Sequence, residues 1–137
     1  MRRLLRPGAS KLKTERVRCV NKLLLEGKTS IITGASAGIG YAIAELFMEE
    51  GSNVVMTGRR EDVLQQAADT LNACGYPGKA VTVAGNIADD SIAEKIFNKA
   101  IETFNRVDIL VNNAGLGESF GIDSTTNEHW DYIMGIN

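Results

Sequence analysis

The stretch best equipped for chemistry is Thr33-Gly34-Ala35-Ser36-Ala37-Gly38-Ile39-Gly40. The apolar run Thr29-Ser30-Ile31-Ile32 precedes it, and a helical pattern follows it. Strand, glycine turn and helix in that order predict a phosphate-binding loop. One glycine permits the tight turn out of the strand, another lets the backbone approach a pyrophosphate, and the last allows close helix–strand packing. The first N–H groups of the helix and its positive dipole end then face the anion.

Other residue types capable of chemistry are sparse. Cys19 and Cys74 belong to no C-x-x-C pair, and His129 is the only histidine. This argues against structural zinc and for a reducing compartment, the cytoplasm or the mitochondrial matrix. His129 stands between Glu128 and Trp130 near a predicted helix start, and it reads as a solvated helix residue rather than a base.

The elements that must position these residues follow from periodicity. Short apolar strands are predicted over Thr29–Thr33, Asn53–Thr57, Ala80–Ala84 and Val107–Val111. Between them run helical patterns. Ile39, Ala42, Ile43, Leu46 and Phe47 form the first stripe, and Val63, Leu64, Ala67, Ala68 and Leu71 the second. Ile92, Ile96, Phe97, Ala100, Ile101 and Phe104 form the third. Ser91-Ile92-Ala93-Glu94 and Thr125-Thr126-Asn127-Glu128 read as capping boxes, the second opening a helix with Trp130, Ile133 and Met134. Apolar strands alternating with helices predict a doubly wound α/β fold with a parallel sheet. Ligands of such sheets sit at the carboxyl ends of the strands, so the glycine-rich loop Gly115–Asp123 is expected to border the site.

The length of 137 residues allows at most one modest domain, and 44% hydrophobic with 23% charged residues is ordinary for a globular chain. The net charge of −2 conceals an asymmetry: residues 1–28 carry nine Lys/Arg against two Glu, for +7, and the rest of the chain carries −9. Residues 1–25 are read as a basic extension, either a frayed segment or a mitochondrial transit segment. It has no aromatic residue to stack bases, so nucleic acid is not expected as a partner. No apolar run reaches the ~20 residues of a membrane span, so no membrane partner is expected.

Three motifs in order make residues 26–137 resemble the short-chain dehydrogenase/reductase family. They are the Gly-x-x-x-Gly-x-Gly segment, Asn112-Asn113-Ala114-Gly115 directly after the fourth strand, and Trp130-Asp131-Tyr132-Ile133-Met134-Gly135-Ile136-Asn137. The resemblance implies a Rossmann-type NAD(P)-binding domain, here truncated after the fourth strand and following helix. It implies that Gly34, Ser36, Gly38, Ile39 and Gly40 cradle the pyrophosphate, Ile39 through its backbone with its side chain in the core. Asn112, Ala114 and Gly115 would lie under the ribose, with the Asn side chains tying the strand to its neighbours. Asn86 and Ile87 would form the adenine pocket. The family usually has Asp at the Asn86 position, and Asn86 is expected to accept from the adenine amino group through its carbonyl oxygen.

The end of the second strand speaks to the cofactor. An NAD reader places an acid there for the ribose 2′-OH. This chain has Thr57-Gly58-Arg59-Arg60, with no carboxylate before Glu61. Arg59, with Arg60 beside it, is suited to a 2′-phosphate, which favours NADP(H) over NAD(H).

The family's reaction also needs a Tyr with a Lys four residues later, whose charge lowers the Tyr pKa, and a Ser. Four residues after Tyr41, Tyr76 and Tyr132 stand Glu45, Ala80 and Ile136. Only Asn137 matches a catalytic position, the family's active-site Asn. The expectation is therefore the cofactor-binding half of an oxidoreductase that interconverts an alcohol and a ketone or aldehyde, homo-oligomeric at full length. The alternatives are a non-catalytic dinucleotide-binding fragment and an unstable truncated product. One edge of the fourth strand and the apolar face of the last helix are expected to lie open. Gly40-Tyr41-Ala42-Ile43 and Ile133-Met134-Gly135 resemble tropinone-reductase-like members, and acyl-carrier-protein reductases fit equally well.

Overall fold

The computed structural model describes residues 23–117 and 122–137. Most of the basic extension, with Cys19, and residues 118–121 of the glycine-rich loop lie outside the described residues. The chain runs β1 (Thr29–Thr33), α1 (Gly38–Glu49), β2 (Asn53–Gly58), α2 (Glu61–Ala73), β3 (Ala80–Ala84), α3 (Asp90–Phe104) and β4 (Ile109–Val111). A 3-10 turn (Ile122–Ser124) and α4 (Asn127–Ile136) complete it. The strands form one parallel sheet in the order β3-β2-β1-β4. This is the Rossmann-type doubly wound α/β fold, with the topological switch between β1 and β4.

Side chains two residues apart on a strand share a face, and this alternation builds two cores. Ile32, Val54, Met56 and Ala80 face α1 and α2, packing with Ala44, Met48, Leu64, Ala67, Ala68 and Leu71. Ile31 and Val55 face the other way, against Ile92, Ile96 and Ala100 of α3. The central strands are thus buried on both sides, which is why they read as unbroken apolar runs.

The second helical stripe is buried as the sequence predicts except at Val63, which is half-buried, but the first is not. Gly40, Ala44 and Met48 are the buried residues of α1, while Ile39 is 75% exposed and Leu46 47% exposed. The predicted core position of the Ile39 side chain is therefore incorrect. Apolar periodicity picks the larger residues, whereas the helix approaches the sheet along its small ones. A Cβ on Gly40 would lie 2.3 Å from the Gly34 carbonyl oxygen. That closeness puts Gly40 on the sheet and rotates Ile39, one residue earlier, by ~100° toward the outside.

Both predicted capping boxes shift. Asp89 caps α3, its carboxylate accepting from Ser91 N at 2.9 Å, and Thr126 caps α4, accepting from His129 N at 3.2 Å. A carboxylate just upstream of Ser91 is the better acceptor, and the hydrogen bond holds its pKa low. In α3, Phe97 is 51% and Ile101 36% exposed, so the buried stripe is narrower than predicted. His129 is half-buried in the first turn of α4 rather than solvated.

β4 begins at Ile109, two residues later than predicted, and is clamped at its start. Asp108 Oδ2 accepts from Thr29 N at 2.9 Å, and Asp108 N donates to Thr29 O at 2.9 Å. Arg106 donates to both Asp108 oxygens, and Lys28 Nζ lies 3.6 Å away. The Arg106 hydrogen bonds, with the Thr29 amide, hold the Asp108 carboxyl at about 2, below its ordinary 3.8. A carboxyl depressed on folding stabilises the fold fully above 3.8, and that stabilisation fades as pH falls toward 2. Asp108→Asn is expected to lower the thermal midpoint at pH 7 and to flatten its fall between pH 4 and 2. Circular dichroism melts across that window check this, and parallel acid limbs for the two proteins would contradict it.

β4 is an edge of the sheet, Leu110 is 58% exposed, and α4 has no buried residue. Among the described residues no helix is long and apolar enough to cross a membrane.

Candidate functional site

At the carboxyl ends of the strands, over the switch between β1 and β4, lies a cleft of about 450 Å³. Of the residues predicted for the site, Gly34, Ser36, Arg59, Arg60, Asn86, Ile87, Ala114 and Gly115 line it. Sequence reading did not single out Thr33, Thr57, Gly85, Leu116 and Ile136, which also line it. Thr33 ends β1 and Thr57 stands one residue before the end of β2, so the rule that ligands sit at strand ends was the available signal.

The walls are fixed by hydrogen bonds between segments distant in sequence. Ala35 N donates to Thr57 O at 2.9 Å, and Gly85 N to Gly58 O at 2.9 Å, fastening the three strand ends side by side. Thr33 Oγ1 accepts from Asn113 N and Ala114 N, each at 2.9 Å. Asn113 Nδ2 donates to Thr33 O at 2.9 Å and to Gly34 O at 3.2 Å. Asn113 is thus the asparagine that ties β4 to the glycine turn, while Asn112 is exposed and outside the cleft.

Gly38, Ile39 and Gly40 stand at the start of α1 rather than in the cleft wall. Gly34 turns with φ 65°, which a glycine tolerates at no steric cost. The N-cap Ala37 makes no side-chain hydrogen bond, and the first turn of α1 has no acidic residue. The leading N–H groups of α1 are therefore left to an outside acceptor.

Gly58 completes the floor, with Ser36 Oγ 3.4 Å from where its Cβ would stand. Arg59 and Arg60 follow, both exposed, before Glu61 and Asp62 in the first turn of α2. The residues lining the cleft include two arginines and no carboxylate. An uncapped helix start, a glycine floor and two guanidinium groups fit a ligand with several phosphates.

On the remaining side, Asn137 Oδ1 accepts from Leu116 N at 2.8 Å and Asn137 Nδ2 donates to Leu116 O at 3.0 Å. This paired amide fastens α4 to the segment after β4, and it crowds Gly115, whose Cβ would lie 3.1 Å from Asn137 Oδ1. In this structure Asn137 positions the backbone beside the cleft.

Tyr76 and Tyr41 are shifted the wrong way for a base. Tyr76 donates to Glu45 Oε1 at 3.0 Å, which pushes its hydroxyl up to about 12. Desolvation followed by the Glu45 charge raises Tyr41 as well. A tyrosine acting as acid/base near neutral pH needs the opposite shift.

Comparison with known proteins adds an independent line. The family model described as short chain dehydrogenase matches residues 28–137. An NADP-dependent (R)-specific alcohol dehydrogenase of Lentilactobacillus kefiri is 39% identical over 113 residues, which are 82% of this chain and 44% of that protein. A 3-oxoacyl-[acyl-carrier-protein] reductase of Thermotoga maritima is 35% identical over 115 residues, 82% of this chain and 45% of its own length. The crystal structure of L-sorbose reductase from Gluconobacter frateurii, complexed with NADPH and L-sorbose, superposes with a TM-score of 0.79 at 34% identity. That match covers 85% of this chain and 44% of the reductase. The chain thus spans less than half the length of these relatives.

Proposed function

The chain belongs to the short-chain dehydrogenase family, and from that premise we propose that residues 26–137 are the NADP(H)-binding part of an oxidoreductase. The single observation that carries this reading is the carboxylate-free cleft with Arg59 and Arg60 at the end of β2. Arg59 takes the 2′-phosphate in a bidentate charge-assisted pair, with Arg60 adding positive potential. Gly34, Ser36, Gly38, Ile39 and Gly40 form the pyrophosphate cradle at the start of α1. Ala114 and Gly115 leave room for the ribose, next to Asn112, and Asn86 and Ile87 flank the adenine. When bound, the nicotinamide group supplies hydride chemistry.

The NADP dependence in the name of the Lentilactobacillus kefiri relative and the NADPH of the Gluconobacter frateurii complex support this choice over NAD(H). The full-length reaction we propose interconverts an alcohol and a ketone or aldehyde, in a homo-oligomer in the cytoplasm. Residues 1–137 contain no Tyr followed four residues later by Lys. The share of the reaction carried by these residues is accordingly binding and positioning, with Asn137 holding the backbone at Leu116.

Titration of the purified chain with NADPH, followed by nicotinamide fluorescence, tests the proposal. Saturable binding, tighter for NADPH than for NADH, is expected. No saturation with either nucleotide, together with strong binding of an apolar dye, would instead identify an unstable product.

A further inference from the structure

The outer edge of the sheet carries a strand that reads the same in both directions. β3 is Ala80-Val81-Thr82-Val83-Ala84, uncharged and free of Gly and Pro, and it is the last strand on its side of the sheet. Strand β2 uses alternate groups of this segment: Val54 N donates to Lys79 O at 2.7 Å, and Gly85 N donates to Gly58 O at 2.9 Å. In the observed register the N–H and C=O groups of Ala80, Thr82 and Ala84 therefore point away from β2. Asn72, in the last turn of α2, occupies the first of these places. Its Oδ1 accepts from Ala80 N at 2.9 Å, and its Nδ2 donates to Ala80 O at 3.0 Å. That is the exchange a residue of an antiparallel neighbouring strand would make. A side chain of the same domain thus stands where a further strand would lie.

We infer that the β3 edge is a self-complementary surface for a second copy of this chain, and that Asn72 is the contact that keeps it shut. A two-fold axis beside Thr82 sets Thr82 opposite Thr82 of the second copy, Ala80 opposite its Ala84 and Val81 opposite its Val83. The palindrome makes every pairing match from both sides, and pairs of threonine and of β-branched residues across strands are favourable. Val81 and Val83 are half-buried against the α3 core, so each has surface left to cover. Ala80, Thr82 and Ala84 form the hydrogen-bonded pairs of such a junction. Asn72 denies both pairs that involve Ala80 and leaves the central Thr82 pair alone. The helices permit the junction. Helix α2 packs over β2 and β3. With strands ~4.8 Å apart, α2 and its two-fold mate lie roughly 10 Å apart, an ordinary spacing for packed helices. Release of Asn72 from Ala80 thus joins two sheets into one continuous sheet.

Asn72→Ala opens the edge, and sedimentation equilibrium of the full chain reads the result. Self-association should tighten by about tenfold or more over the native chain, the scale of a few regained hydrogen bonds. Thr82→Pro added to Asn72→Ala removes an outward N–H that β2 does not use, and it should restore the native value. A folded Asn72→Ala chain with native association would overturn the inference, as would a gain that Thr82→Pro leaves in place. Amide hydrogen exchange on the native chain tests the lock without any substitution. The Ala80 amide should exchange at least about tenfold more slowly than the Thr82 amide, because the Ala80 N–H alone of the two has a partner in Asn72. Equal rates at Ala80 and Thr82 would show that Asn72 does not hold the edge, and would overturn the inference whether or not the alanine variant folds.

Discussion

Replacing Gly40 with alanine is expected to weaken NADPH binding at least tenfold, and to lower the melting temperature by about 5 °C or more. The cause is steric. A Cβ at this position would meet Gly34 O at 2.3 Å and Asn113 Nδ2 at 2.6 Å. Neither atom is the loose end of a flexible side chain. Gly34 O is main chain, and Asn113 Nδ2 is held by Thr33 O and Gly34 O. Relief requires α1 to lift from the sheet or the glycine turn to move, and overpacking of this kind costs ~1–3 kcal/mol. Either movement displaces the leading N–H groups of α1 and loosens the Thr33–Asn113 clamp that joins β1 to β4. Denaturation profiles give the stability loss, and titration at a temperature where the variant remains folded gives the binding loss. An alanine variant with native melting and native affinity would show that α1 tolerates the shift and that the cradle does not depend on close packing.

The second large effect is expected at Arg59. Arg59→Asp should move the preference from NADPH toward NADH by about a hundredfold, two effects acting in one direction. Loss of a charge-assisted hydrogen bond costs the 2′-phosphate ~1.5–3 kcal/mol. The new carboxylate repels that phosphate and can accept from a free ribose 2′-OH, as the acid at this position does in NAD-binding folds. Stability should change little, since Arg59 is exposed and an acid just ahead of α2 suits the helix dipole. Arg60→Ala is expected to produce a smaller shift, because alanine removes one charge without adding a repelling one, and the backbone bond from Leu64 N to the Arg60 carbonyl at 3.0 Å is kept. Paired titrations with the two nucleotides check both variants. An unchanged preference in Arg59→Asp would remove the 2′-phosphate from this end of the cleft.

Sequence by itself determined the order of strands and helices and the place of the glycine turn. Those features are local: the glycine spacing, the apolar runs and the helical stripe of α2 each lie within a few turns of chain. Local reading also identified Arg59 and the Asn112-Asn113-Ala114-Gly115 motif as residues to watch, though it named Asn112 rather than Asn113 for the site. Tertiary structure decided how they meet. The side of α1 that faces the sheet was set by backbone contact at Gly40, where size rather than apolarity governs, and this put Ile39 outside. The start of β4 was set by Asp108, whose partner Thr29 lies 79 residues away, and the clamp by Asn113 and Thr33, 80 residues apart. Asn137 was legible as a motif residue, yet its pairing with Leu116 is a matter of distance in space. Side-chain type limits the chemistry available at a position, and long-range packing selects which part of it faces a ligand.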